Sequence, residues 1–166
     1  PQASQVVRMC EVSRASVNAT GTEASDNFFK SCQEQLLVKD SETTAAIHHR
    51  YGGKLGAYKD STFMDWIRDN NSSTEDFEKA VDLFVRSCAG YCVATYVMGV
   101  GDRHNDNIMV SKTGRYFHID FGHFLGNFKY QFGIKRERAP FVLTPAMAAA
   151  MGGVKSEGFA DFVRKS

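Results

Sequence analysis

Two short motifs in the second half of the chain carry the residue types that phosphate chemistry requires. One is the loop at residues 101–107 (GDRHNDN), and the other is residues 118–122 (HIDFG), which begin 11 residues after Asn107. Asn107 and Asp120 offer an amide and a carboxylate oxygen, and Mg²⁺ prefers oxygen ligands. His104 precedes Asn107 by three residues, and a neutral imidazole can accept a proton near pH 7. The spacing therefore predicts a site for phosphoryl transfer at a metal-bound phosphate.

A β-hairpin is predicted between the two motifs. Residues 107–110 and 115–119 are short apolar runs, and residues 111–114 (SKTG) are typical of a turn. Asn107 begins the first predicted strand and Asp120 follows the second, so we expect the two side chains to be neighbours, as two ligands of one metal must be. The alternative is a surface hairpin with a solvated loop, which leaves the polar residues at both outer ends unexplained.

A long helix is predicted to support the loop. It begins near residues 72–75 (SSTE), which fit a capping box, runs for about 24 residues and ends at Gly99 and Gly101. We expect the loop to emerge from the C-terminal end of this helix, because a rigid element positions a site well. Its predicted buried stripe consists of Phe77, Ala80, Val81, Phe84, Val85, Cys88, Cys92 and Tyr96.

The remaining segments give weaker patterns. Residues 8 to about 45 are polar and predict an insertion or loop, apart from a short helix around residues 27–38. Residues 51–56 (YGGKLG) match no phosphate-binding motif and predict a flexible connection. Residues 146–151 predict the start of a helix, and an apolar pattern follows at Phe159, Phe162 and Val163. Residues 61–68 predict a short helix with one buried face, formed by Phe63, Trp66 and Ile67.

Composition indicates one globular domain. The chain has 166 residues, of which 43% are hydrophobic and 23% charged, with a net charge of +1. No run of 18 apolar residues is present. The four cysteines, Cys10, Cys32, Cys88 and Cys92, form no paired CxxC framework, and Cys88 and Cys92 are interpreted as small core residues. Reduced thiols indicate a cytoplasmic protein.

These motifs, with residues 86–95 (RSCAGYCVAT) and 133–144 (GIKRERAPFVLT), resemble the C-terminal lobe of a phosphoinositide 3-kinase catalytic subunit of class I type. The order Asp102-Arg103-His104 reverses the His-Arg-Asp of ordinary protein kinases. The resemblance covers residues from about 41 to 166, with a further short match at residues 6–7. It implies an α+β fold, a protein-kinase-like C-lobe that is mostly helical, with a catalytic β-hairpin and with the N-lobe absent.

The resemblance also implies the extent of the domain. Residues 1–166 are expected to be a partial kinase domain, from the hinge through the activation segment to the start of the following helices. Residues 10–40 have no clear match and are expected to be an insertion or loop. The phosphate-covering loop and the lysine that contacts the nucleotide phosphates have no counterpart in these residues, so we expect the 166-residue segment to be inactive by itself.

ATP and Mg²⁺ are the cofactors that the resemblance implies. His104 resembles the base for the inositol 3-hydroxyl, with Asp102 in a supporting catalytic role. Asn107 and Asp120 resemble the Mg²⁺ ligands, and Asp120 is also expected to act in catalysis. The residues expected to contact adenine are Val7 in the hinge, and Met109 and Ile119 beneath the ring.

A basic cluster in the segment that resembles the activation loop is expected to bind the substrate headgroup. An inositol bisphosphate carries several negative charges, and arginine suits bidentate phosphate contacts. The implied substrate is phosphatidylinositol 4,5-bisphosphate in a membrane surface. The cluster consists of Lys129, Lys135, Arg136 and Arg138.

Two other functions remain open. A protein Ser/Thr kinase of the phosphatidylinositol-3-kinase-related family shares the two motifs, but protein substrates do not generally require the basic cluster. A non-catalytic pseudokinase scaffold is the second, although it has no reason to retain His104, Asn107 and Asp120 together. A phosphoinositide 4-kinase is disfavoured by the same basic cluster.

Partners and location follow from the resemblance. We expect a cytoplasmic enzyme that is recruited peripherally to membranes, a regulatory subunit, and an N-lobe and upstream domains in the same protein. We expect no nucleic-acid partner.

Overall fold

The computed structural model describes residues 40–125 and 139–166, with the backbone of 130–131 and 134–135. All of these residues belong to one unit of the chain, residues 38–166. The predicted insertion at residues 10–40 lies outside the described residues, apart from Asp40. The predicted short helix around residues 27–38 lies outside them as well.

A three-stranded antiparallel sheet contains the predicted hairpin. Its strands are β1 (Ser41–Thr43), β2 (Ile108–Ser111) and β3 (Tyr116–His118), with β2 in the middle. Ile108 pairs with His118 and Val110 with Tyr116, so the predicted hairpin is confirmed to within a residue at each end. In the turn, the Gly114 amide donates to the carbonyl of Ser111 at 2.9 Å.

Strand β1 and the helix after it correct the sequence analysis, which interpreted residues 8 to about 45 as a loop. Ser41, Glu42 and Thr43 pair with Ser111, Val110 and Met109 of β2. A polar three-residue strand has no apolar alternation, so its conformation is set by its pairing with β2, which no local pattern reveals. Helix α1 (Thr44–Gly52) begins directly after it, with Thr43 as its N-cap.

The glycine-containing residues 51–56, predicted to be a flexible connection, instead form the end of α1 and part of a second helical element. That element is a 3-10 helix (Gly53–Tyr58) packed against α1. A Cβ on Gly56 would lie 1.7 Å from the carbonyl oxygen of His48, so only glycine allows this approach. The His48 ring donates through Nδ1 to the Gly56 carbonyl at 2.9 Å. Gly56 therefore serves close packing, not flexibility.

Two predicted helices are confirmed. Helix α2 (Thr62–Asn70) buries the three residues assigned to its core face. Helix α3 (Thr74–Met98) has 25 residues and ends at Gly99 in the left-handed conformation, with φ of 57°. Ser73 caps its N-terminus. The Ser73 hydroxyl accepts from the Asp76 amide at 3.0 Å and donates to the Asp76 carboxylate at 2.7 Å.

The predicted stripe of α3 is buried along most of its length. Ala80, Phe84, Val85, Cys88 and Cys92 are in the core, and Phe77 and Val81 pack against it. Tyr96 is a correction, since it is 63% exposed. It lies near the C-terminal end of α3, where it lines an apolar cavity, so continued periodicity did not mean continued burial.

The last elements lie within and after the segment that resembles the activation loop. Strands β4 (Tyr130–Gln131) and β5 (Ile134–Lys135) form a short antiparallel pair. Helix α4 (Pro145–Ala150) agrees with the helix predicted at 146–151. Helix α5 (Glu157–Lys165) accounts for the final apolar pattern, with Phe162 buried and Val163 58% exposed.

The described elements combine helices with small sheets, which confirms the α+β class. The core lies between α2, α3, α4 and the inner face of the hairpin. Cys88 and Cys92 are both buried in it, as predicted. Among the described residues no helix is long and apolar enough to cross a membrane.

Two glycines give a matched test of this packing. Gly114 has φ of +86°, and a Cβ there would lie 2.1 Å from the Ala80 carbonyl oxygen, whereas a Cβ on Gly90 in α3 would meet nothing within 4 Å. We expect Gly114→Ala to lower the free energy of unfolding by about 2 to 4 kcal/mol. Gly90→Ala should raise it by up to about 1 kcal/mol, because alanine favours a helix interior. Urea unfolding of both variants measures this, and a Gly114→Ala protein as stable as the wild type would contradict the contact.

Candidate active site

The loop at 101–107 begins where α3 ends, as predicted. The Val100 amide donates to the carbonyl of Thr95 at 2.9 Å, which completes the helix terminus. The next amide, that of Gly101, donates to the carbonyl of His123 at 2.7 Å. The start of the loop is therefore attached both to α3 and to the segment that follows β3.

A buried arginine joins the loop to the segment after β3. Arg103 is only 9% exposed. Its Nε donates to the carbonyl of Gly101 at 2.6 Å, its Nη1 to that of Ile119 at 2.7 Å, and its Nη2 to that of Asp120. Its guanidinium carbon lies 5.5 Å from the centre of the Phe121 ring. Charge-assisted hydrogen bonds of this kind are among the strongest in proteins, so Arg103 fixes the two motifs relative to each other.

Asn107 and Asp120 meet at the open end of the hairpin, as predicted. The Ile119 amide donates to the carbonyl of Asn107 at 2.9 Å, which extends the β2–β3 pairing by one residue. Asp120 is the next residue, is exposed, and has φ of +57°. A non-glycine residue in this region costs about 1 kcal/mol or more, and such strain is typical of functional positions.

The donor atoms at this end of the hairpin suit Mg²⁺. The Asn107 side chain is buried and its Nδ2 donates to the carbonyl of Asp102 at 2.8 Å, which assigns Oδ1 as the atom available to a ligand. Asp120 contributes an exposed carboxylate, of which Oδ1 lies 3.4 Å from the Gly122 amide. One amide and one carboxylate oxygen fit a metal that completes its shell with water and phosphate. No group of three or more His, Cys, Asp or Glu residues arranged for a metal occurs among the described residues.

His104 is the exposed member of the loop. Its side chain is 41% exposed, and its Nδ1 accepts a hydrogen bond from the Asp106 amide at 3.2 Å. A neutral imidazole with Nδ1 as acceptor carries its proton on Nε2. The Asp106 carboxylate lies 3.6 Å from the same Nδ1. In the other neutral tautomer, Nδ1 carries the proton and can donate to this carboxylate, and Nε2 is then able to accept a proton.

Asp102 supports the loop through its backbone. It is buried, with φ of +57°. Its carbonyl accepts from the His104 amide at 3.1 Å as well as from the Asn107 side chain. The single carbonyl oxygen of Asp102 therefore joins the His104 main chain to the Asn107 side chain.

The two residues predicted beneath adenine lie on the outer face of the hairpin. Side chains alternate along a strand, and Ile108 and Val110 point into the core at 2% and 0% exposure. Met109 therefore faces the opposite side, and it is half-buried. Ile119 is on that same face by register and is also half-buried. Phe117, the register partner of Met109, lies on this face too and is only 6% exposed, so the adenine contacts of Met109 and Ile119 remain predictions.

The other predicted site residues are not described at the side-chain level. Val7, Lys129, Arg136 and Arg138 lie outside the described residues. Lys135 is described by its backbone alone, in β5. Their assigned roles remain predictions from the sequence.

A buried polar network that the sequence analysis did not identify holds β3 against α3. The Tyr116 amide donates to the Ser87 hydroxyl at 2.9 Å, and the His118 ring lies 2.9 Å from the Tyr116 hydroxyl through Nε2. The same ring stacks on Tyr91, with the planes 4° apart and the centroids at 5.1 Å. Burial and then the nearby Arg103 guanidinium lower the pKa of His118 to about 3, so its imidazole is neutral at physiological pH.

The site thus has the parts of a metal-assisted phosphotransferase, and the comparisons with known proteins agree. A family model described as phosphatidylinositol 3- and 4-kinase matches residues 22–165. The chain is 59% identical over 128 residues to phosphatidylinositol 3-kinase 1 of Dictyostelium discoideum. It is 50% identical over 129 residues to the human phosphatidylinositol 4-phosphate 3-kinase C2 domain-containing subunit beta. The chain belongs to the phosphatidylinositol 3- and 4-kinase family.

These relatives are much longer than the chain. Each alignment covers 76% of this sequence and 8% of the relative's length. The human phosphatidylinositol 3-kinase C2 domain-containing subunit gamma, 48% identical over 129 residues, is likewise covered over 9% of its length.

His118 gives a pH test of the network. Its folded pKa of about 3 lies below the ordinary value of 6.5, so the unfolded chain binds the proton first and stability falls as the pH drops below 6.5. At pH 5 the loss from this one group is about 2 kcal/mol. We expect His118→Gln to lower the free energy of unfolding at pH 7. Between pH 7 and pH 5, the variant should lack the decrease in this free energy that comes from protonation of His118. Urea unfolding with a chelator present measures both effects. An unchanged pH slope would contradict the buried neutral imidazole.

Proposed function

We propose that the full-length protein transfers the γ-phosphate of ATP to the 3-hydroxyl of phosphatidylinositol 4,5-bisphosphate. The observation that carries the proposal is the placement of Asn107 and Asp120 at one end of the hairpin, beside the loop that presents His104 to solvent. Family membership supports a lipid acceptor, since the relatives bear the name phosphatidylinositol 3-kinase.

In the proposed mechanism the chain's own groups bind, orient and move one proton. Asn107 Oδ1 and the Asp120 carboxylate would hold Mg²⁺, which would supply neutralisation of phosphate charge. His104 accepts the proton of the attacking hydroxyl at Nε2, and the Asp106 carboxylate stabilises the resulting imidazolium through Nδ1. Asp102 maintains the spacing between His104 and Asn107 through its carbonyl.

Nucleotide and headgroup would bind to different segments of the chain. Met109 and Ile119 supply an apolar surface for adenine on the outer face of the hairpin, and Val7 is proposed to contact its edge. The activation-loop cations bind the headgroup phosphates, and near an anionic leaflet each adds about 1 kcal/mol of attraction. This proposal assigns Lys129, Lys135, Arg136 and Arg138 to the headgroup site.

Other acceptors are genuine competitors. One human relative is named a phosphatidylinositol 4-phosphate 3-kinase, and that lipid carries one phosphate fewer on the ring than the bisphosphate. A protein acceptor would indicate the related protein kinases, and transfer to neither would favour a scaffold. We propose the bisphosphate because the four cations suit a headgroup of higher charge.

The proposed setting is peripheral to a membrane in the cytoplasm. The full-length protein would supply an N-lobe and upstream domains, and a regulatory subunit would bind outside the described residues. This proposal draws on the resemblance and on the chain's 8% share of its relatives' length.

A competition assay on the full-length protein tests the acceptor. Vesicles would carry phosphatidylinositol, its 4-phosphate and its 4,5-bisphosphate in equal amounts, beside a generic protein substrate, with labelled ATP and Mg²⁺. We expect label mainly on the bisphosphate, at the 3-position. His104→Ala should lower kcat about 100-fold or more, the range of a lost general base, while His49→Ala, an exposed histidine on α1, should leave it unchanged.

The outcomes separate the alternatives. Label mainly on the 4-phosphate would change the acceptor but retain the lipid kinase. Label mainly on protein would overturn the lipid proposal, and no transfer by a folded protein would favour the scaffold. Retention of full activity by His104→Ala would remove His104 from the mechanism.

We propose that the 166-residue chain alone is inactive and poorly stable. An apolar cavity of about 380 Å³ opens between α3 and α5, and the apolar side chains of Tyr96, Val97 and Val163 are more than half exposed. Thermal melting and ATP-binding calorimetry on the isolated chain test this. A cooperative transition together with ATP binding would contradict the proposal.

A further inference from the structure

A buried threonine outside both motifs touches the tip of the catalytic loop. Thr44 is the first residue of α1 and is only 2% exposed. Its hydroxyl donates to the carbonyl of Asn105 at 2.8 Å and lies 3.3 Å from the Asn105 side-chain oxygen. The amide of Ala45 donates to the same carbonyl at 3.0 Å. The start of α1 therefore binds one loop carbonyl with two donors.

This contact is not a helix cap. Thr43 is the N-cap of α1, and its hydroxyl accepts from the Ala46 amide at 3.2 Å. The Thr44 hydroxyl is directed to a residue 61 positions away in sequence. Thr43 therefore caps the helix, and Thr44 binds the loop.

The contact between Thr44 and Asn105 lies between the proposed proton acceptor and the proposed metal ligand of the loop. Asn105 directly follows His104, and the side chains of residues 104–106 are exposed. Arg103 holds the base of the loop, and the Asn107 amide donates to the His104 carbonyl at 2.9 Å to close a turn around Asn105. The Thr44 bond adds a constraint from a separate element at the point between the proton acceptor and the metal ligand.

We propose that Thr44 is a positioning residue for the catalytic loop. Its hydroxyl fixes the Asn105 carbonyl, and through it the separation of the His104 ring and the Asn107 amide. The expected effect of Thr44 on the rate rests on the proposed function, whereas its expected effect on the loop does not. Thr43, in β1, pairs with Met109 of β2, so α1 is also attached to the strand that follows Asn107. The same β1–α1 segment therefore contacts both the tip of the loop and the hairpin.

Three substitutions in the full-length protein separate this role from helix stability. Thr44→Val keeps the shape and removes the donor, Thr44→Ser restores the donor, and Thr43→Val removes the cap while leaving the loop bond. The measurements are kcat and KM for ATP with the acceptor that the wild type uses, the melting temperature, and hydrogen–deuterium exchange of peptides covering residues 101–107.

We expect Thr44→Val to lower kcat about tenfold, because a displacement of about 1 Å can cost 100-fold in rate and the loop should shift by less than that. The KM for ATP should change less than about twofold, since the substitution leaves the hairpin surface unchanged. Exchange in residues 104–107 should rise. Thr44→Ser should restore both. Thr43→Val should lower the melting temperature and leave kcat within about twofold of the wild type.

Two results would overturn the proposal. One is unchanged exchange and kcat in Thr44→Val. The other is a fall in kcat that follows melting temperature equally in the Val variants of Thr43 and Thr44, which would indicate only loss of stability. If the wild type transfers phosphate to neither lipid nor protein, exchange alone decides: faster exchange in Thr44→Val with recovery in Thr44→Ser supports the proposal, and unchanged exchange rejects it.

Discussion

The buried guanidinium of Arg103 is the constraint on which the rest of the site depends. A buried cation costs free energy unless hydrogen bonds satisfy its donors, and here the acceptors are three backbone carbonyls from two separate segments. Those segments are the ones that carry His104 and Asp120. Asp102, which precedes Arg103, and Asp120, whose carbonyl accepts from it, both have φ of +57°, so the guanidinium lies beside two residues in the left-handed conformation.

The hairpin connects α3 to Asn107 and Asp120, the proposed metal ligands. Ser87 and Tyr91 on α3 hold the buried Tyr116 and His118 of β3, and β3 ends immediately before the segment that Arg103 binds. The neutral His118 ring suits this place, because a second buried cation beside Arg103 would repel it. Packed rings and hydrogen bonds therefore connect the core to Asp120 through a continuous series of contacts.

The parts that the sequence predicted are those with local signals. The hairpin follows from two apolar runs around a turn, and α3 from a capping serine, a stripe of period 3.6 and a terminal glycine. The position of Asn107 beside Asp120 followed from the hairpin alone. The parts that were missed depend on contacts distant in sequence: β1 is polar and defined by its partner β2, and Thr44 meets Asn105 across 61 residues. Tyr96 continued the stripe but lines the open apolar cavity between α3 and α5, and periodicity does not distinguish such a position from a buried one.

The division of burial within the loop explains how one short segment can be both rigid and accessible. Asp102, Arg103 and Asn107 are buried, while His104, Asn105 and Asp106 are exposed. The Arg103 and Asn107 side chains donate to backbone carbonyls and so determine the path of the chain, whereas the exposed residues are carried by that path toward solvent. An attacking hydroxyl must approach from solvent, but the geometry of its proton acceptor must not vary. A loop fixed by Arg103 at its base and by Thr44 at its tip meets both requirements, because every anchor acts on the main chain and leaves the His104 imidazole free to meet its substrate.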